Sequence, residues 1–126
     1  MNRQSRSEDL SVPRINFDSA KALLILQGRC IPSDPESFFN PLSQLILDYI
    51  KRQGRIRCQI KLEYFNSSSA KELLSFLKLL KEQEKLGAIV SIEWFYEIDD
   101  EDSADFGKDL SDILQMPIEM IGLKKF

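Results

Sequence analysis

Histidine is absent from this 126-residue chain. That removes the commonest general base, the commonest metal ligand and every Ser-His or Cys-His triad. No GxGxxG, GxxxxGK[ST] or CxxC pattern occurs either, so the usual phosphate-cradling and redox motifs are missing. Lysine, aspartate and glutamate could still do chemistry, and enzyme activity is disfavoured without being excluded. Cysteine is scarce. Cys30 and Cys58 fall in strand-like segments, with Cys58 at an inward position, and two buried free thiols are expected in preference to a disulfide. No run approaches the ~20 apolar residues of a membrane span, and the N-terminal MNRQSRSEDLS lacks an apolar signal-peptide core. The expectation is a cytoplasmic protein with no membrane association. With 17 basic against 20 acidic residues the net charge is −3, which leaves no positive excess for nucleic acid.

What remains is an ordinary globular composition, 43% apolar and 29% charged, at a length that suits one domain. Residues 1–12 are polar and aperiodic and read as a flexible arm, with residues 13–126 as the single domain. Arg14 to Asp18 alternates as a short strand. Ala22 to Leu26 is a dense apolar run ended by Gly28, suited to a buried strand hairpin-paired with the first. Asp34 or Ser33 can cap a helix with Pro35 at its first position. Asn40-Pro41 then predicts a break, with a main helix from about Pro41 to Arg52 and a stop at Gly54. The aromatic pair Phe38 and Phe39 reads as core.

The most informative junction is LEYFNSSSAKELL, Leu62 to Leu74. Ile56, Cys58, Ile60, Leu62 and Tyr64 alternate with polar residues, the period of a half-buried strand. From Ala70 the apolar positions Ala70, Leu73, Leu74, Leu77 and Leu80 follow helical spacing, giving a helix from about Ser68 to Glu84. Asn66, Ser67, Ser68 and Ser69 lie between. One of them suffices to cap the helix, and Ser69 with Glu72 could form a capping box. A hydroxyl here has a second use, because a phosphate added to it would meet free backbone amides and the positive end of the helix dipole.

Ile89 to Tyr96 is a central strand. A helix pattern from about Glu101 to Leu114 follows the acidic cluster Asp99, Asp100, Glu101 and Asp102, and Ile118 to Phe126 closes the chain as an edge strand. The spacing of those carboxylates is not that of an EF-hand loop, so no metal or other cofactor is assigned. Acidic residues in a first helical turn are favourable with the dipole, and a basic partner surface is the other use. The order β-β-α-β-α-β-α-β predicts an α/β fold with a mixed sheet of four or five strands and about three helices packed against it.

GRCIPSDPESFFNPL, LEYFNSSSAKELL and IEWFYEIDDEDSADFGKDL together resemble the SiaC-type regulatory phosphoprotein family. This is a bacterial family of single small domains whose fold is similar to the STAS domain of anti-sigma-factor antagonists. The resemblance covers about Asp18 to the C-terminus. It implies a non-catalytic signalling adaptor phosphorylated on the residue after the asparagine, here Ser67, with Ser68 and Ser69 as lesser candidates. It further implies a histidine-kinase-like serine/threonine kinase, a metal-dependent phosphatase and, for the unphosphorylated form, a diguanylate cyclase as output, with cyclic di-GMP signalling and biofilm formation downstream. Asn66, Ser67, Ser68, Lys71, Asp99 and Asp100 are the expected partner-binding residues, and the cap then falls to Asn66, Ser68 or Ser69. Two other readings stand beside it. One is a constitutive interaction module whose serines only cap a helix, and the other a small enzyme using Lys71 and the carboxylates of Asp99 to Asp102.

Overall fold

The structure is a computed structural model that describes residues 10–126. It carries β1 (Arg14–Asp18), β2 (Leu23–Cys30), α1 (Pro35–Gln53), β3 (Arg55–Phe65), α2 (Ser67–Lys85), β4 (Ile89–Glu97), α3 (Glu101–Leu114) and β5 (Glu119–Leu123). The five strands form one mixed sheet in sequence order. β1 is antiparallel to β2, and each later strand is parallel to the one before it. Three successive right-handed crossovers that advance in one direction put all three helices on the same face.

The alternation of β3 follows from that layering. Ile56, Cys58, Ile60 and Leu62 are buried, while Arg57 is exposed and Gln59 and Lys61 are half-buried on the face that no helix covers. The helices meet the sheet through Phe39 and Ile46 of α1, Leu73, Phe76 and Leu77 of α2, and Leu110 of α3, around the fully buried Trp94 of β4. Each such side chain contributes roughly 1.5–3 kcal/mol when fully buried. Both cysteines are buried and free, and burial pushes the Cys58 thiol up to about 12. Among the described residues, no helix is long and apolar enough to cross a membrane.

Several expectations need correction. α1 is not broken at Asn40-Pro41 but runs unbroken with Pro41 inside it. Phe39, Leu42, Ile46, Tyr49 and Ile50 form one buried stripe across the proline, whereas Ser37, Asn40 and Pro41 are exposed. The Ser37 carbonyl that loses its amide partner faces water, and continuous packing outweighs the roughly 3 kcal/mol cost of an interior proline. Gly28 does not end β2, which passes through it with φ +114° and continues to Cys30. The edge strand is shorter than Ile118 to Phe126: β5 spans Glu119–Leu123, and the Ile98 amide, just past β4, donates to the Leu123 carbonyl at 2.8 Å. Of the expected arm, residues 1–9 lie outside the described residues, and the Ser11 carbonyl accepts the Ile31 amide at 2.7 Å.

One carboxylate on the uncovered face is nearly buried. Glu93 accepts from Arg57 Nε at 3.2 Å and Nη2 at 3.1 Å and from Gln59 Nε2 at 2.8 Å. Burial alone would raise its pKa, but the Arg57 and Gln59 hydrogen bonds outweigh that and hold the carboxyl below the usual range. A depressed folded-state pKa contributes stability that is fully present above the ordinary glutamate value of 4.5 and is lost as pH falls through the lower folded value. Glu93→Gln should therefore be less stable at pH 7 yet lose less between pH 5 and 2, which urea midpoints at neutral and acid pH would show.

Candidate functional site

Because β2, β3 and β4 are parallel, the three helices all begin at the carboxyl edge of the sheet. Each begins with the same device, an Asx side chain accepting the amide of a serine three residues on. Asp34 accepts from Ser37 N at 3.4 Å, Asn66 from Ser69 N at 3.0 Å and Asp100 from Ser103 N at 3.0 Å. The α2 start differs in charge. α1 carries Glu36 in its first turn and α3 carries Glu101 and Asp102, but the first turn of α2 has no acid and its cap is a neutral asparagine. Among the described residues, no acid in the first turn compensates the positive end of the α2 dipole.

The serines of that turn have separate environments. Asn66 is the cap, so neither Ser68 nor Ser69 caps the helix, and α2 starts at Ser67 instead of Ser68. The capping box of Ser69 with Glu72 does not form, because Ser69 occupies the third helical position. Ser67 is the first helical residue, it is exposed, and its hydroxyl makes no hydrogen bond among the described residues. Ser68 is exposed and donates to Asn66 Oδ1 at 3.3 Å. Ser69 is 1% exposed. Lys71 is exposed four residues after Ser67, hence on the same side of the helix one turn along.

A register shift positions the turn. β2 and β3 pair Gly28 with Leu62, then Arg29 with Tyr64 and Cys30 with Phe65, leaving Glu63 as an extra residue. Period-2 alternation would send Tyr64 inward, but the bulge turns it out to 56% exposure and turns Phe65 toward the core. Phe65 then packs edge-on against Trp94, ring centroids 5.8 Å apart, and against Phe106 at 4.9 Å, while Trp94 and Phe106 lie 5.5 Å apart. This aromatic triad joins the residue before Asn66 to β4 and α3.

The same triad explains the tryptophan and acidic stretch. Trp94 Nε1 donates to the Ser103 carbonyl at 3.0 Å and lies 3.2 Å from the Ser103 hydroxyl, both buried under the first turn of α3. Gly107 lets the helix approach. A Cβ there would stand 2.7 Å from Trp94 Cδ1 and 2.8 Å from Met120 Cε. Methionine can swing aside, but the indole is tethered. Gly107→Ala should cost a net 1 to 2 kcal/mol, roughly 2 to 3 from overpacking less about 1 of helix propensity gained, read from thermal denaturation.

Of the residues expected to bind partners, Asn66, Ser67 and Ser68 form the α2 start with Lys71 one turn along, and Asp99 and Asp100 lie at the α3 start on the same edge. Asp99 is exposed, whereas Asp100 is half-buried and occupied as a cap. No three His, Cys, Asp or Glu side chains converge as a metal site among the described residues. Sequence reasoning missed Tyr64 and Ile98, each 56% exposed at the carboxyl edge, and the Phe65–Trp94–Phe106 triad. Two adjacent aromatics at a strand end, of which only one can face inward, were the available signal.

A family model described as SiaC family regulatory phosphoprotein matches residues 5–123. An uncharacterized protein of Pseudomonas aeruginosa (strain UCBPP-PA14) is 27% identical over 112 residues, covering 85% of this chain and 86% of that protein. The fold is that of two crystal structures from Pseudomonas aeruginosa. Diguanylate cyclase SiaD in complex with its activator SiaC matches with TM-score 0.83 and 24% identity, over 90% of this chain and 94% of that one. Apo-SiaC matches with TM-score 0.82 and 23% identity, over 96% and 99%.

Proposed function

Because the chain belongs to the SiaC family of regulatory phosphoproteins, we propose that it is a non-catalytic signalling adaptor switched by phosphorylation of Ser67. The observation that carries this reading is the division of roles in the serine turn. Asn66 does the capping, so Ser67 is exposed and unengaged, at the one helix start of three that carries no acid. A phosphate there, roughly −2 at neutral pH, would lie against unpaired first-turn amides and within one helical turn of the Lys71 ammonium. The modified state is thus tolerated by the domain itself, and its effect falls on whatever docks beside it.

The docking surface we assign is the carboxyl edge around the turn, where Tyr64 near the end of β3 and Ile98 just after β4 expose large side chains. Apolar anchors there suit a partner that buries them, and a phosphate dianion inside such a contact would be buried without a matching cation. The unphosphorylated form is therefore the binding form. SiaC of Pseudomonas aeruginosa is an activator found in complex with the diguanylate cyclase SiaD, and a diguanylate cyclase is the output assigned here on that likeness. A histidine-kinase-like serine/threonine kinase and a metal-dependent phosphatase would write and erase the mark. That Asn66 and no serine caps α2 supports this reading over a constitutive module whose serines only cap the helix.

Intact mass after incubation with the cognate kinase tests the assignment. One phosphate should add to the native chain and none to Ser67→Ala, while the stability of that variant stays within about 0.5 kcal/mol because the cap is untouched. Addition that persists in Ser67→Ala would move the site to Ser68, the other exposed hydroxyl of the turn.

A further inference from the structure

The three helix starts share an Asx-x-x-Ser turn, yet their serine hydroxyls fare differently. Ser37 is exposed and donates to Asp34 Oδ2 at 2.6 Å. Ser103 is buried and its hydroxyl oxygen lies 3.2 Å from Trp94 Nε1. Ser69 is as buried as any core residue, and its Oγ has no hydrogen-bond partner. The cap offers it no second oxygen, since Asn66 Oδ1 already accepts from Ser69 N and from the Ser68 hydroxyl. The Cys30 thiol lies beside it: burial pushes that thiol up and the Ser69 hydroxyl offsets part of the rise. A thiol is a weak partner, and the contact falls short of hydrogen-bond geometry.

A buried hydroxyl left unpaired penalises the state that buries it, here the helical form of the first turn. Opening that turn returns the hydroxyl to water at the expense of the Asn66 cap and the Ala70 N to Asn66 O bond of 2.9 Å. We propose that Ser69 is a positioning residue that keeps the first turn of α2 poised to open, so that the Ser67 backbone can be drawn into an extended form by the enzyme that modifies it. The part that concerns modification rests on the reading of Ser67 as the phosphorylated residue. The part that concerns opening does not. Loss of the hydroxyl should lock the turn, whereas loss of the satisfied hydroxyl of Ser103 should loosen its own.

Hydrogen exchange on the full chain tests both parts. In Ser69→Ala the amides of Ala70 and Lys71 should exchange about tenfold more slowly than in the native protein, against an unchanged centre of α2. In Ser103→Ala those of Ala104 and Asp105 should exchange faster. Under cognate kinase, Ser69→Ala should gain phosphate several-fold more slowly. Exchange at Ala70 and Lys71 that is unchanged or faster in Ser69→Ala overturns the proposal. Slowed exchange with an undiminished phosphorylation rate overturns its link to modification, and a native chain that takes no phosphate at all fails the Ser67 reading while the exchange result still decides whether the turn is poised.

Discussion

Trp94→Ala should destabilise the protein by about 4 kcal/mol and lower its melting temperature by roughly 15 °C. Trp94 is fully buried at the centre of β4. Its removal forfeits the transfer energy of the largest core side chain and leaves a cavity between Phe65, Phe106 and the first turn of α3, which Gly107 has no side chain to fill. It also takes the indole donor away from the buried Ser103 hydroxyl and from the Ser103 carbonyl, which keeps only its helical partner. A loss of this size is a large part of the 5–15 kcal/mol that holds a small domain together. Trp94→Phe keeps most of the packing and loses the N–H, and about 1 to 2 kcal/mol is expected for it. Urea midpoints for the pair separate the two contributions. Equal losses would mean that the hydrogen bond, and not the volume, holds α3 in place.

Phosphorylation of Ser67 should weaken binding of the output partner by between roughly 100-fold and 4,000-fold, the scale set by the 3–5 kcal/mol that an uncompensated charge costs when a contact closes over it. The phosphate would stand at the carboxyl edge that also exposes Tyr64 and Ile98 and already carries Asp99, Asp100, Glu101 and Asp102. The cations near it among the described residues, Lys71 one turn along α2 and Arg29 opposite Tyr64 in the sheet, are exposed and so screened by water and salt. Titration calorimetry with the unmodified and fully phosphorylated chain measures the ratio. A loss confined to less than threefold would mean that the partner docks elsewhere. Tyr64→Ala in the unmodified chain should mimic part of the loss, since it removes an anchor without adding charge.

Local signals carried most of the fold. Asp34-Pro35 marked the start of α1, Gly54 its end, and the change of period at Asn66 separated β3 from α2, because capping and alternation are decided within a few residues. What those signals could not reach depended on contacts made later in the chain. Pro41 is a strong local breaker, yet the stripe from Phe39 to Ile50 packs across it. Alternation sent Tyr64 inward, and only the pairing of β3 with β2 shows the extra residue that turns it out. Asn66, Ser68 and Ser69 were equivalent as caps until the structure buried the Ser69 hydroxyl. The exposure of Ser67 needed no long-range contact, which is why the serine turn was legible as a candidate site before the sheet was known. Its neighbours Tyr64 and Ile98 were not, because exposure at a sheet edge is set by the strands on either side.

The central claim is that one phosphate on Ser67 decides whether the chain engages its output. The most direct measurement is diguanylate cyclase activity titrated with three samples: the unmodified chain, the chain phosphorylated to completion, and Ser67→Ala after the same kinase treatment. Activity should rise with the first and the third and stay at its basal level with the second. Equal activation by the phosphorylated chain, or none by any of the three, would contradict the account.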